Sequence, residues 1–277
     1  MSAWFAALMG IVQGLTEFLP ISSSGHLVLL QSFLGADIEH DYMLFDVLLH
    51  FGTLISVFIC FWPDIRDMIV EFFRLIGDLF RGKPDLNKTP ARRMMIMVVL
   101  ATVPMLIVPL VNDKIEALFS KPLLVGVMLF VTAIILYIAD RTRYGKKTAA
   151  TAGFKDAFIV GCLQLIALIP GISRSGTTIM GCSVRGFKRD FSVKFAFLMS
   201  IPVILGANIF TVKDALAQGF DMTLLFPYII GVLCAALSGI AAISLVRFIA
   251  NRKSYRPFSV YCVCAGALAI VLSIVLL

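Results

Sequence analysis

The 277-residue chain is 60% hydrophobic and only 15% charged, yet it carries a net charge of +7. A soluble domain is about 45–50% apolar and about 25% charged, so this composition is built for lipid and excludes an ordinary soluble enzyme. In a membrane protein the positive excess reports first which loops stay in the cytoplasm, and no nucleic-acid partner is expected from it.

No Lys or Arg precedes Arg66, so the basic start of a cleavable signal is missing and a retained amino terminus is expected. The first apolar stretch, 1–36, is interrupted by LPISSSGH at 19–26. Window 47–63 follows, with His50 as its one ionisable group. In 63–80, Ile65, Ile69, Phe72, Ile76 and Leu79 recur at helical spacing opposite Asp67, Glu71, Arg74 and Asp78. This predicts an amphipathic segment on the membrane surface within 63–92, ending in the polar loop GKPDLNKTP at 82–90. Windows 94–112 and 122–139 come next, then a second interrupted stretch, 156–184, with PGISRSG at 170–176. Windows 195–212, 222–246 and 257–277 complete the chain, and none of these five contains a charged side chain.

A crossing needs about 20 apolar residues, which the uninterrupted windows approach or exceed. A helix broken at membrane depth is tolerated only where the break is buried in protein or lines a wet cavity. Stretches 1–36 and 156–184 therefore read as re-entrant helical hairpins. The expected fold is an all-α polytopic membrane protein with six transmembrane helices and two re-entrant hairpins. The six cysteines, all inside apolar runs, read as small core residues.

Twenty of the 24 Lys and Arg residues fall in 63–93, 141–155, 185–194 and 247–256. All four segments lie on one face if the crossings are as drawn, and the positive-inside rule makes that face cytoplasmic, with both termini outside. The opposite loops hold Lys114, Lys121 and Lys213 against Asp37, Glu39, Asp41, Asp113, Glu116, Asp214 and Asp221. Arg174 is the cation left over, in the second break, and Glu17 precedes the first. Ionisable groups at membrane depth mark functional sites by default. Asp46 reads instead as an interfacial carboxylate, and His40 and His50 as structural residues.

The two interrupted stretches repeat one another at an offset of 151: Gly10 on Gly161, Gln13 on Gln164, Ile21 on Ile172, Ser22 on Ser173, Ser24 on Ser175, Gly25 on Gly176. At offset 150 the match resumes with Phe45 on Phe195 and Leu48 on Leu198. Repeats 1–150 and 151–277 of one membrane domain follow. Each holds a hairpin and three crossings, an odd number, so the copies are inverted. This is the broken-helix plan in which half-helix amino termini face an anionic substrate near the midplane.

At each tip Ser22, Ser23 and Ser24, or Ser173 and Ser175, can cap the next helix, and the free N–H groups with Gly25 or Gly176 form an anion-binding concavity. A guanidinium such as that of Arg174 matches phosphate oxygens in a fork. The copies diverge at the polar tip positions: Ser23 against Arg174, His26 against Thr177, Glu17 against Leu168. This suggests that the second tip holds an anion and the first acts on it. Gln13 and Glu17, four apart on one helical face, could converge with Ser23 and His26, which suits phosphoryl transfer.

The strings QGLTEFLPISSSGH at 13–26 and PGISRSGTT at 170–178 resemble the bacterial undecaprenyl-diphosphate phosphatases of the bacitracin-resistance type, over the whole chain. The resemblance implies a multi-pass inner-membrane enzyme that converts the C55 isoprenoid diphosphate to the monophosphate carrier of peptidoglycan precursors. It places the family's acidic, serine, histidine and arginine positions on Glu17, Ser23, His26 and Arg174, with Ser173 and Thr178 in the phosphate-binding motif. The family's first acidic position is Gln13 here, so a role needing charge does not carry over. A divalent cation, Mg²⁺ or Ca²⁺, is implied, with Glu17 as its anchor. Ser23 and His26 are both candidates for the nucleophile, and a homo-oligomer is left open. A phosphatidic-acid phosphatase of type 2 is set aside because Met180 stands where that signature needs histidine. The rival from another class is a transporter or flippase of an anionic lipid phosphate, which the inverted repeat favours and the Glu17–His26 pair does not require. The pocket is expected to open outward, beside the acidic loop of Asp37, Glu39 and Asp41.

Overall fold

The computed structural model describes residues 1–33, 40–142, 145–218, 222–252 and 254–276, and within them no side chains for 40–43, 112, 113, 116, 207, 209–218, 251 and 252. Asp37, Glu39, Arg143, Asp221 and Lys253 lie outside the described residues, as do the side chains of His40, Asp41, Asp113, Glu116, Lys213, Asp214 and Arg252.

The described residues form helices and no strand. In order they are α1 (Ala3–Phe18), α2 (Ser23–Phe33), α3 (His40–Cys60), α4 (Trp62–Phe80), α5 (Pro90–Thr102), α6 (Val108–Phe119), α7 (Pro122–Arg141), α8 (Phe154–Gln164), α9 (Arg174–Val184), α10 (Arg189–Gln218), α11 (Leu225–Arg252) and α12 (Arg256–Leu276). Their starts carry the expected signals. Ser2 accepts from the Phe5 N–H at 3.2 Å, and Thr89 caps α5 by accepting from the Arg92 N–H at 3.1 Å, with proline in the first turn of α5 and α7. A 3₁₀ turn at Val103–Ile107 carries α5 onward into α6.

Among the described residues, Pro90–Val111, Pro122–Arg141, Met222–Ala250 and Arg256–Leu276 are long and apolar enough to cross a bilayer. A fifth is Leu44–Cys60 if it is counted with Trp62–Phe80, from which it is bent by 87°. The expected surface segment is the helix α4. It buries Ile65 and Glu71 and, among the described residues, leaves Ile69, Phe72, Phe73, Leu79 and Phe80 exposed.

Small residues let the helices approach closely. A Cβ on Gly10 would lie 2.3 Å from the Gly231 carbonyl, and one on Gly14 2.1 Å from Ser238 Oγ and 2.3 Å from the Ala235 carbonyl, so α1 lies backbone-to-backbone along α11. Gly161 brings α8 equally close to Ala101 of α5, and Gly126 and Gly266 do the same for α7 and α12.

The four basic segments meet at one end of the molecule. Lys194 pairs with Asp64 at 2.8 Å, Arg185 and Lys147 with Asp156, Arg247 lies over the Phe61 ring, and Arg93 donates to the Ala149 carbonyl at 3.0 Å. Buried Arg92 fastens α5 to α4 through Glu71 at 2.9 Å and Asp78 at 2.7 Å. A cavity of about 1030 Å³ opens between these groups, and no residue of either break lines it.

Candidate active site

Each broken helix restarts on a serine cap. Ser22 Oγ accepts from the Gly25 N–H at 3.3 Å and its carbonyl from the His26 N–H at 3.2 Å; Ser173 does the same with Gly176 at 3.1 Å and Thr177 at 2.9 Å. Offset-related residues thus make one motif twice, aiming the positive ends of α2 and α9 into the breaks. Ser22 holds φ at 72°, a left-handed conformation that costs a side-chain-bearing residue about 1–2 kcal/mol. Buried Thr132 of α7 pins the second break, donating to the Gly171 carbonyl at 2.8 Å and accepting from the Ser173 N–H at 3.0 Å. Gly171 is required there, since its φ is 95° and a Cβ would lie 2.6 Å from the Val125 carbonyl.

The two breaks touch. Ser175 Oγ donates to the Leu19 carbonyl at 3.3 Å, and a Cβ on Gly25 would come within 3.0 Å of Gly171 Cα. Glu17, 5% exposed, is the hub between them. Its Oε2 accepts from Ser23 Oγ at 2.6 Å and from Gln13 Nε2 at 3.0 Å, and its Oε1 is paired with the Arg174 guanidinium. A carboxylate accepting a serine hydroxyl at this distance is placed where it can take the hydroxyl's proton.

Of the residues singled out from sequence, Gln13, Glu17, Ser23 and Arg174 are in direct contact, with Ser22, Gly25, Ser173, Ser175 and Gly176 shaping the two caps. Thr178 spends its hydroxyl on the Arg174 and Ser175 carbonyls of its own helix. His26 turns elsewhere. Its Nδ1 lies 2.7 Å from the Ser22 carbonyl and its Nε2 2.8 Å from the Tyr261 hydroxyl.

Two residues set outside the site from sequence have partners beside it. His50, read as structural, holds its Nε2 3.7 Å from Glu17 Oε2 while its Nδ1 meets the Asp46 carbonyl at 2.7 Å. Asp46, read as interfacial, accepts from Gln31 Nε2 at 3.3 and 3.2 Å, tying α3 to α2. Both follow from one cause: α3 packs beside α1, so its polar stripe faces the break. A signal for His50 existed, because position 200, its counterpart at offset 150, is Ser and so also polar. Tyr261, the only tyrosine in 257–277, was also a detectable polar exception.

Among the described residues no three His, Cys, Asp or Glu side chains gather into a metal-holding group. A smaller donor set is present. The Gln13 side-chain carbonyl is buried without a hydrogen-bond partner beside the Glu17 carboxylate. Carbonyl and carboxylate oxygens suit a hard divalent cation that takes its other ligands from phosphate and water.

Residues 6–268 match the family model described as bacitracin resistance protein BacA. The chain belongs to this family. BacA-like relatives share nearly the whole length. The undecaprenyl-diphosphatase of Alkaliphilus metalliredigens is 43% identical over 277 residues, covering 99% of this chain and all of that one. That of Halothermothrix orenii is 41% identical over 96% of each chain, and that of Methanosphaera stadtmanae 38% identical over 98% of each. Membership in the BacA family and the apolar helices make this a multi-pass membrane protein.

Proposed function

We propose that this BacA-family protein is an undecaprenyl-diphosphate phosphatase, which hydrolyses the C55 isoprenoid diphosphate to its monophosphate and inorganic phosphate. The observation that carries this reading is the Ser23 hydroxyl donated to Glu17 at 2.6 Å, with Arg174 on the carboxylate's other oxygen. The names of relatives 38–43% identical support the substrate.

The terminal phosphate enters between the amino termini of α2 and α9, where N–H groups and the Arg174 fork offset its charge. Ser23 Oγ attacks the terminal phosphorus while Glu17 Oε2 takes its proton. The bond from phosphorus to the bridging oxygen breaks, and its electron pair leaves with the polyprenyl monophosphate. Water then attacks the seryl phosphate and gives its proton to a phosphate oxygen, His26 being engaged by the Ser22 carbonyl and the Tyr261 hydroxyl. Ser23 leaves as the alkoxide, recovers the proton held by Glu17, and inorganic phosphate is released. Glu17 and the Gln13 carbonyl would hold a Mg²⁺ or Ca²⁺ ion, which supplies further positive charge against the phosphate oxygens when bound.

The membrane plan belongs to the same proposal. The six crossings are α3, the α5–α6 run, α7, α10, α11 and α12; α1–α2 and α8–α9 are re-entrant hairpins, and repeats 1–150 and 151–277 are inverted. The close packing of α1 on α11 and of its counterpart α8 on α5 supports the exchange that such a repeat requires. The pocket opens outward from the inner membrane, away from the basic end. Impermeant thiol labelling of Ser23→Cys in intact cells, in a background without native cysteines, tests the sidedness; labelling only in inverted vesicles would reverse it. For the chemistry, phosphate release by purified protein should fail in Arg174→Ala and Glu17→Ala, and wild-type turnover in both would refute the site.

A further inference from the structure

We infer that Thr132 is a positioning residue of this site, whose hydroxyl aims the amino end of α9, and with it Arg174, at the Glu17–Ser23 pair of the first tip. Thr132 is the only serine or threonine in the apolar window 122–139, and it is fully buried. A helical threonine commonly returns its hydroxyl to its own helix, four residues back. Thr16, Thr102, Thr142 and Thr177 do so, donating to the carbonyls of Val12, Val98, Ile138 and Ser173 at 2.7–2.8 Å. Thr132 instead reaches from α7 to the break between α8 and α9, donating to the Gly171 carbonyl at 2.8 Å and accepting from the Ser173 N–H at 3.0 Å. These backbone groups flank Ile172 where the helical ladder is interrupted. One hydroxyl thus satisfies a buried carbonyl and a buried N–H that valine in its place would strand.

Helix α7 is also the wall on which both tips rest. A Cβ on Gly171 would lie 2.6 Å from the Val125 carbonyl and 2.7 Å from Met128 Cβ, one on Gly25 3.2 Å from Val125 Cγ1, and one on Gly176 3.4 Å from Leu136 Cδ2. Val125, Met128, Thr132 and Leu136 recur at three- and four-residue spacing on one face of the helix, and Thr132 is the polar member of that face. Apolar contact sets how near the second tip lies, whereas the paired hydrogen bonds, being directional, set how it is turned. What they turn is the start of α9. Of the four N–H groups that a helix start leaves without an intrahelical acceptor, that of Ser173 goes to Thr132 and that of Gly176 to Ser173 Oγ at 3.1 Å. The N–H groups of Arg174 and Ser175 are left for a ligand, beside the guanidinium that meets Glu17. A phosphate group between the tips therefore meets a cradle whose direction Thr132 fixes.

The kinetic part of this inference rests on the phosphatase reading; the orientation of an anion cradle does not. The experiment compares wild type, Thr132→Val, Thr132→Ser and, as control, Thr102→Val in detergent. It measures kcat and KM for phosphate release from farnesyl diphosphate, the calorimetric Kd for inorganic pyrophosphate, and melting. Thr132→Val keeps the shape and drops the hydroxyl, so kcat/KM should fall about 10- to 100-fold and Kd for pyrophosphate should rise about tenfold in the folded protein, as misplacement of a binding group does. Thr132→Ser should recover most of both. Thr102→Val removes a hydroxyl turned onto its own helix and should leave both as in wild type. A structural role alone would lower melting while Kd and KM of the folded protein stay at their wild-type values, and that result would overturn the inference, as would a Thr132→Ser variant no better than Thr132→Val. If Thr132→Val does not fold, Thr132→Cys, whose thiol is a weak donor and acceptor, should lose in the same direction, and wild-type constants there would also overturn it. If wild type binds pyrophosphate but releases no phosphate, the phosphatase reading fails while the Kd values still decide the role of Thr132. A wild-type protein that does not bind pyrophosphate would refute the cradle itself.

Discussion

Combining Glu17→Gln with Ser23→Ala separates a base from a mere neighbour. Glu17 is 5% exposed and meets Ser23 Oγ at 2.6 Å, so the proton has a direct path. A general base placed this way contributes about 10²–10⁴-fold, or about 2.7–5.4 kcal/mol at 1.36 kcal/mol per decade. Each single variant should therefore lose at least about 10²-fold in kcat. If Glu17 works through Ser23, removing it from an enzyme already lacking Ser23 costs little more, and the double variant should lie within about threefold of Ser23→Ala, as for residues acting as a unit. Glutamine keeps the shape and an acceptor for Gln13, but leaves the 18%-exposed Arg174 without its counter-charge. Melting in detergent must accompany the kinetics for that reason. Phosphate release from farnesyl diphosphate is the assay. Losses that multiply in the double variant, or a Glu17→Gln enzyme with half of wild-type turnover, would refute the pairing.

Helix packing, a buried charge and acid stability give three further tests. Gly14→Ala places a Cβ 2.1 Å from Ser238 Oγ and 2.3 Å from the Ala235 carbonyl, so α1 must move off α11, at about 1–3 kcal/mol; Gly206→Ala, whose Cβ meets nothing within 4 Å, should melt like wild type. Arg92→Met leaves the buried Glu71 carboxylate with Arg74, at 2.9 Å, as its remaining cation and should destabilise by about 1–3 kcal/mol, with Glu71→Gln in the same chain restoring part of the loss; no change in melting would contradict the role of Arg92. At Asp156, burial pushes the carboxyl up, but hydrogen bonds from Lys147, Arg185 and the Gly153 N–H more than offset this and hold it below the usual carboxylate range. A depressed folded value stabilises above the unfolded value near about 3.9 and is lost as pH falls through it, so melting temperature should drop less steeply from pH 6 to 3 in Asp156→Asn, and parallel curves would refute this.

What the sequence made legible was what a short motif or a long window can carry. Breaks at 19–26 and 170–176 were visible because Pro, Gly and Ser interrupt apolar runs, and their touching at Leu19, Ser175 and Gly171 follows from matched caps at Ser22 and Ser173. The pairing of Arg174 with Glu17 was legible from charge alone, since each was the one ion of its sign left in its stretch. His50 and Tyr261 were marked only as polar exceptions and their contacts were not legible, because these arise from the packing of α3 beside α1 and α12 on α7, which depends on small-residue contacts such as Gly126 with Gly266 that no local pattern specifies. The helix α4 was readable from its spacing, but its junction was not: an 87° bend at Phe61 follows α3 directly, where the composition showed only a span ending near 63.

The central claim is that the constellation of Glu17, Ser23 and Arg174 performs chemistry rather than transport alone. The most direct measurement is inorganic phosphate release from undecaprenyl diphosphate by purified protein in detergent micelles, where no second compartment exists, with and without a chelator. Turnover in the wild type, abolished in Ser23→Ala and in Arg174→Ala variants that melt normally, is the predicted result. A well-folded wild-type protein that binds the lipid but releases no phosphate, with divalent cation supplied, would contradict it.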